Sequence, residues 1–458
     1  MTTNGIMFHS TNKNTPDVDF KTAIIRGQAL DKGLYMLNEI PKLTEEQIYS
    51  FKDLSLDEIG FIVISNIIGN IIPKPELKKI LKGALNFSVP VEHIGNNDYQ
   101  CYLDQGPTAS FKDFGARTLA RIMEYFLEED NKNAVILTAT SGDTGGAVAQ
   151  AFYEMNRIKV VVLFPKDEIS DLQRKQMTTL GKNVTAIGIT GKFDDCQRLV
   201  KIAFADPDLQ HIGLSSANSI NFGRLMPQTL YYFYSYSSVI EKKGEEVIFS
   251  VPSGNFGNLM GGLIASNMGL PVKRFISAVN ENDEFPKFLE TGKYEKVEPS
   301  KKCISNAMNV GHPSNFARLI DLYGGQIDET GVMHKIPDLE RIRKDIVSYS
   351  ITNELTKETI VNFYKKYNKK IIEPHGAVGW ACLEKYRIDF PEDNSYKLIN
   401  FETADPAKFP EEIISLINIT PKIPKSLEII QNKSEFPNPV VINDYSDFKN
   451  YLVEIFNK

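Results

Sequence analysis

AVILTATSGDTGGAVAQAFYEM, Ala134 to Met155, joins three patterns in one run and sets the architecture of the chain. AVILTAT (134–140) is apolar and rich in β-formers, SGDTGG (141–146) is a glycine turn, and AVAQAFYEM has the composition of a helix. A strand that enters a helix through a glycine turn is the first half of a βαβ unit, so the next strand should lie parallel to it. VVVLFP (160–165), VTAIGIT (184–190), VIFSVP (247–252), RFISAVN (274–280) and KLINFE (397–402) each lead likewise into a turn and a helical pattern. The alternation predicts an α/β fold, parallel sheets with flanking helices, in which ligands gather at the C-terminal ends of the strands.

The junction has one echo. VPSGNFGN (251–258) also follows an apolar strand and opens a helical segment, LMGGLIASNM. Glycines at such a junction let backbone N–H groups converge into a concave nest, and the helix N-terminus adds partial positive charge, so each loop suits an anion. Neither loop fits a nucleotide pattern: there is no GxxxxGK[ST], and no GxGxxG opening a helix.

QGPTASFKDFGAR (105–117) sets Lys112 between Phe111 and Phe114 at the start of a helix whose apolar stripe is Leu119, Ile122, Met123 and Phe126. Ser110 is placed as N-cap with Asp113 three residues on, as in a capping box. A cation there sits at the wrong end of the helix dipole. To act as a nucleophile the amine must be neutral, and moving its pKa from about 10.4 to about 7 or 8 takes roughly 3 to 4 kcal/mol. The helix end supplies at most about 2 kcal/mol, so desolvation against the two phenylalanines must supply the rest. A buried reactive lysine and a phosphate nest are the minimum equipment for pyridoxal 5′-phosphate, one group holding the aldehyde and the other the phosphate.

Composition narrows the setting. The 458 residues are 42% hydrophobic and 24% charged, enough for two or three domains. Net charge is −6, which argues against a nucleic-acid partner and for small-molecule work. Cys101, Cys196, Cys303 and Cys382 are far apart with no paired spacing, the pattern of reduced thiols, and the polar N-terminus MTTNGIMFHSTNKN has no apolar signal core, so a cytoplasmic protein is expected. IGFIVISNIIGNII (59–72) is too short to span a bilayer and follows a plausible cap, Ser55 with Glu58, so it reads as a core helix. Residues 1–95 carry their own helical patterns and read as a separate N-terminal unit.

The order of motifs resembles one family. GPTASFKDFGAR, TATSGDTGGAVAQAF, SSANSINFGRLMPQ, VPSGNFGN, SNAMNVGHPSNFARL and TADPAKF follow one another as in threonine synthases of the longer bacterial and fungal type, from AIIRGQALDKGLYM (23–36) to TADPAKF (403–409). The resemblance implies the tryptophan-synthase-β-like fold of pyridoxal-phosphate enzymes, fold type II. It also implies an N-terminal domain (1–95), a large cofactor-binding domain (96–134 and 215–458) and a small α/β domain (135–214).

Residue by residue, the resemblance makes Lys112 the lysine bonded to the cofactor and gives the cofactor phosphate to Gly254, Asn255, Phe256, Gly257 and Asn258. It puts Asp143 beside the ring oxygen and Thr403 at the ring nitrogen, where a hydroxyl leaves that nitrogen largely unprotonated. Ser141, Gly142 and Thr144 cradle the substrate α-carboxylate. Ser216, Asn218, Asn221 and Arg224 supply donors to the distal phosphate of O-phospho-L-homoserine. The implied reaction adds water to that substrate, giving L-threonine and phosphate. TADPAKF departs from the TAHPAKF of many members: Asp405 stands in place of histidine, which leaves Lys408 as the cation there. His375, beside a Pro-Gly turn, reads as structural. A phospho-lyase that eliminates phosphate without adding water is the nearest rival, and a catalytically silent regulatory protein is a second. About fifty residues follow TADPAKF, too few for an effector domain, so no activation by S-adenosylmethionine is expected. The chain is expected to act as a monomer or a homodimer.

Overall fold

The apolar runs of the sequence become two sheets. The computed structural model describes residues 6–456 except 141, 437–440 and 443. The larger sheet has six strands in the order Ile346–Ser350, Val272–Val279, Val247–Pro252, Lys397–Glu402, Asp98–Tyr102, Val91–Gly95. The first five are mutually parallel, and the last pairs antiparallel through a short turn at Asn96, which adopts φ 52°. The smaller sheet is parallel throughout, in the order Val441–Ile442, Val184–Ile189, Ile158–Pro165, Ala134–Ala139, Leu214–Ser215. Strands covered by helices on both faces need apolar residues at every position. Val247–Pro252 and Ala134–Ala139 are buried along their full length.

Two of the covering helices carry the site. Lys112–Glu129 buries Phe114, Leu119, Ile122, Met123 and Phe126, the stripe that its sequence displays. Its start differs from the capping box expected of Ser110 and Asp113. Ser110 Oγ accepts the Lys112 N–H at 3.3 Å, but Asp113 reaches back past it to the N–H and hydroxyl of Thr108, both at 2.8 Å. Two short bonds to one residue hold the carboxylate better than one bond to the cap, and they brace the loop before Lys112. Pro374–Asp389 covers the other side of the larger sheet and buries Trp380 and Tyr386.

The expected core helix spans Leu56–Ile68, with Glu58 accepting from the N–H (2.8 Å) and hydroxyl (2.7 Å) of Ser55. It stops short of Ile72 because Gly69 turns the chain at φ 63°.

Residues 8–84 fold as helices and a two-stranded antiparallel sheet, Phe8–Ser10 with Tyr35–Leu37, that share one core with the lysine helix, Phe8 stacking edge-on to Phe222 at 4.9 Å and Phe20 on Phe126 at 6.1 Å. The strand Val91–Gly95 belongs to the larger sheet. At the other end, Val441–Ile442 and the helix Tyr445–Phe456 join the smaller sheet and its core, although 441–456 were grouped with the large domain. A two-residue strand carries no alternation by which a sequence could reveal it.

Candidate active site

Two segments almost three hundred residues apart are stitched together to form the site. Phe111 donates its N–H to Thr403 O at 2.9 Å, and Asp405 donates its N–H to Ala109 O at 3.1 Å. Ala109 adopts φ 53° to make that return possible. The stitch delivers Lys112 and Lys408 to one carboxylate. Lys112 Nζ lies 3.9 Å from Asp143 Oδ2, and Lys408 Nζ lies 2.9 Å from Asp143 Oδ1, to which Gln173 Nε2 also donates at 3.2 Å. Asp405 accepts the Ala407 N–H at 2.8 Å and so caps the turn Pro406–Lys408. Asp405 thus shapes the turn that carries Lys408.

Burial and charge set the protonation of this trio. Burial lowers the Lys112 amine below the ordinary lysine value; Asp143 opposes the shift, while Lys408 and Arg224 add to it and Glu373 resists. Burial would raise Asp143, but Lys408 and Lys112 outweigh it and hold the carboxyl well below the usual range, so it is ionised. The amine also stands 4.9 Å from the centre of the Phe111 ring. Phe114 faces away, packed edge-on against Phe87 and Tyr231.

The second loop forms the expected nest. Phe256 adopts φ 60°, ψ 10° immediately before the helix Gly257–Asn267, and a left-handed residue beside right-handed ones is the backbone sequence of an anion-binding nest. A Cβ on Gly254 would meet Ala307 O at 2.8 Å, so only glycine fits there. The side chains of the loop point elsewhere. Phe256 packs on Phe285 and Phe316, Asn258 Oδ1 accepts from Tyr231 (2.7 Å) and Tyr232 (2.9 Å), and Asn255 Oδ1 accepts from Ser314 at 3.4 Å. What Gly254, Asn255, Phe256, Gly257 and Asn258 offer an anion is therefore main-chain N–H, with no carboxylate beside it.

Thr403 stands on a buried carboxylate that the sequence did not reveal. Glu373 caps the helix Pro374–Asp389 and accepts from Gly376 N–H (2.9 Å), His375 N–H (2.6 Å), His375 Nδ1 (2.5 Å) and the Thr403 hydroxyl (3.1 Å). Burial would raise Glu373, but His375 and the helix N–H groups hold it below the usual range. An ionised carboxylate has no hydrogen to give, so the Thr403 hydroxyl donates to it and presents its lone pairs to the cleft. His375 Nε2 accepts the Ala307 N–H at 3.1 Å, tying this helix to the 305–319 loop. Neighbouring Glu402 is pushed well above the usual range by its burial and by Glu373 facing it.

Arg224 is buried and makes no ion pair among the described residues. Its Nη1 donates to Ala217 O at 2.6 Å, its Nε has no protein partner, and burial pushes its pKa down to about 10. Asn218 Oδ1 is likewise buried and unpartnered. Asn221 differs from expectation: its amide donates to Ile24 O and Ser216 O, both at 2.9 Å, and its oxygen accepts Gly223 N–H, so it caps the helix Phe222–Leu225 instead of facing a ligand. Arg318, fully buried, bonds Tyr35 O (2.9 Å), Asn315 Oδ1 (2.6 Å), Ser219 O (3.2 Å) and Ile220 O (2.6 Å) and fixes the same loop from behind. In the first glycine turn the Gly142 N–H is already given to Thr140 Oγ1 at 2.9 Å, which leaves Thr144 facing the cleft. Ser141 lies outside the described residues.

Lys112, Asp143, Thr144, Ser216, Asn218, Arg224, the nest, His375, Thr403 and Lys408 all line one cleft of ≈ 2430 Å³. Ligand pockets are commonly about 300–1,000 Å³, so this space admits a cofactor and a substrate together. The donor set fits pyridoxal phosphate: an amine lowered towards neutrality, a buried carboxylate and main-chain N–H groups for its one phosphate; the Arg224 guanidinium, without an ion pair among the described residues, is left for another anion.

Comparison with known proteins agrees with this geometry. Residues 100–398 match the family described as pyridoxal-phosphate dependent enzyme, and residues 7–85 match threonine synthase N terminus. The chain is 37% identical over 450 residues to the threonine synthase of Buchnera aphidicola subsp. Baizongia pistaciae, covering 97% of this chain and 99% of that one. It is 36% identical to that of Escherichia coli K12, covering 92% and 93%. The crystal structure of pyridoxal-phosphate-bound threonine synthase from Brucella melitensis superposes with a TM-score of 0.90 at 32% identity, over 99% of this chain and 100% of that one.

Proposed function

The chain belongs to the threonine synthase family of pyridoxal-phosphate-dependent enzymes, and from that premise we propose how its cleft converts O-phospho-L-homoserine and water to L-threonine and phosphate. The observation that carries the reading is the Lys112 amine, lowered by burial, sharing Asp143 with Lys408 in a cleft that holds two separate anion sites. When bound, the cofactor supplies an aldehyde that bonds an amino group and a ring that draws electron density from the adjoining carbon.

The N–H groups of Gly254 to Asn258 grip the cofactor phosphate. Asp143 would stand at the ring oxygen, and Thr403 at the ring nitrogen. Because the Thr403 hydrogen is committed to Glu373, the residue offers that nitrogen an acceptor, which favours a protonated ring nitrogen; a free hydroxyl would leave it unprotonated. Thr144 binds the substrate α-carboxylate. Ser216, Asn218 and Arg224 hold the distal phosphate, and Arg224 stabilises its charge as it leaves Cγ. Lys112 would remove the Cα proton as general base and then a Cβ proton as phosphate leaves Cγ; the same mobile amine would serve protonation at Cγ and, after water has added at Cβ and given up its own proton, return a proton to Cα.

Purified chain incubated with the cofactor and O-phospho-L-homoserine should release phosphate and threonine in equal amounts. Phosphate with 2-oxobutyrate in place of threonine would make it a phospho-lyase, and neither product would overturn the reading. We further propose a cytoplasmic setting without a nucleic-acid partner. Supporting it are the net charge of −6 and four buried, unbridged cysteines. Among the described residues, no helix is long and apolar enough to cross a membrane.

A further inference from the structure

Asp143 faces two cations with two oxygens, and it divides them unequally. Lys408, whose side chain is 0% exposed, holds Oδ1 at 2.9 Å, whereas Lys112 reaches Oδ2 only at 3.9 Å. Asp143 is also the only carboxylate that Lys408 pairs with among the described residues. Its position is fixed from behind, by the Asp405 cap on its turn and by the stitch between Thr403–Asp405 and Ala109–Phe111. We infer that Lys408 is a positioning residue for Lys112: by occupying Asp143 it denies the Lys112 amine a full ion-pair partner and leaves that amine available as a base.

The other groups facing the two partners act in the same sense or are weaker. Lys112 is faced by Asp143, Lys408, Arg224 and Glu373; Asp143 is faced by Lys408, Lys112 and His375. A buried ammonium with a whole carboxylate to itself keeps its proton, whereas one that shares the carboxylate with a closer ammonium feels like-charge repulsion as well. Lys408 acts through Asp143 and need not touch the substrate. The consequence for catalysis rests on Lys112 being the cofactor lysine; the titration of the amine does not.

The test reads Lys112 directly. Full-length chain freed of cofactor is labelled by competitive reductive methylation at a series of pH values, and the Lys112 peptide is quantified by mass spectrometry. Lys408→Met should move the midpoint of Lys112 labelling up by about one unit or more, which is about tenfold less neutral amine at a given pH below it. Asp143→Asn should move it down, and this variant serves if Lys408→Met fails to fold. An unmoved midpoint in both variants, with near-UV circular dichroism intact, overturns the inference. So does a raised KM for O-phospho-L-homoserine in Lys408→Met with the labelling midpoint unmoved, which would make Lys408 a substrate ligand. Neither cofactor nor substrate enters the labelling, so its failure and failure of the synthase assay are separate results.

Discussion

Lys112 is legible in the sequence because it breaks a rule, a cation in the first turn of a helix between aromatic residues. Replacing it with alanine should lower turnover by about 10²–10⁴-fold or more, the range for loss of a positioned general base, measured as threonine formed per active chain. Arg224 is legible as an arginine in an otherwise uncharged segment, SANSINFGR. Arg224→Ala should raise KM for O-phospho-L-homoserine by about 10–150-fold, since a hydrogen bond to a charged group is worth about 1.5–3 kcal/mol. Its folding should be little harmed, because Arg224 has no carboxylate to abandon. Glu373 escapes a sequence reading: a glutamate before a proline looks like an ordinary helix start, and only the fold brings it under Thr403. In Glu373→Gln, the ¹⁵N signal of a ring-labelled cofactor should move towards its unprotonated position; an unchanged signal would separate Thr403 from that nitrogen. Asn221 differs for the reverse reason, being a polar side chain in a motif position whose partners lie in the protein interior.

At the scale of elements, strands were the most legible part, since parallel strands buried on both faces are continuous apolar runs. Helix starts were less so. The Ser55–Glu58 cap forms as written, while the similar pair Ser110 and Asp113 is overruled by Thr108, a contact that depends on how the loop folds back. The nest is legible as a glycine loop, but that Gly254 faces Ala307 O at 2.8 Å is a tertiary fact. Gly254→Ala should push the loop from its seat and weaken cofactor binding by roughly tenfold, about 1.4 kcal/mol, read by titrating the visible absorbance against added cofactor. Equal loss of thermal stability in the cofactor-free chain would show that the glycine serves the fold alone.

The whole molecule is held by contacts that no local pattern announces. The N-terminal domain, which the family match over residues 7–85 bears out, shares its core with the lysine helix. His9 Nε2 and Lys13 Nζ meet Asp321 at 2.8 and 2.9 Å, and the other ring nitrogen of His9 faces Asn38 Oδ1, so both nitrogens donate. Burial would lower His9, but Asp321 overrides it and raises the pKa. Burial would raise Asp321, but His9 and Lys13 lower it. The stability contributed by His9 is thus complete below its ordinary value of about 6.5 and is lost as pH rises through its raised folded value. That from Asp321 is present above its ordinary value of about 3.9 and is lost as pH falls through its lowered one. His9→Gln should flatten the decline in melting temperature on the alkaline side of neutrality; a decline as steep as before would remove His9 from its causes.

The shared carboxylate also has a temporal side. A ribosome makes Lys112 early and Lys408 almost three hundred residues later, so for most of synthesis the future nucleophile exists without the neighbour that restrains its partner. A chain ending before residue 408 would leave Asp143 to Lys112 alone.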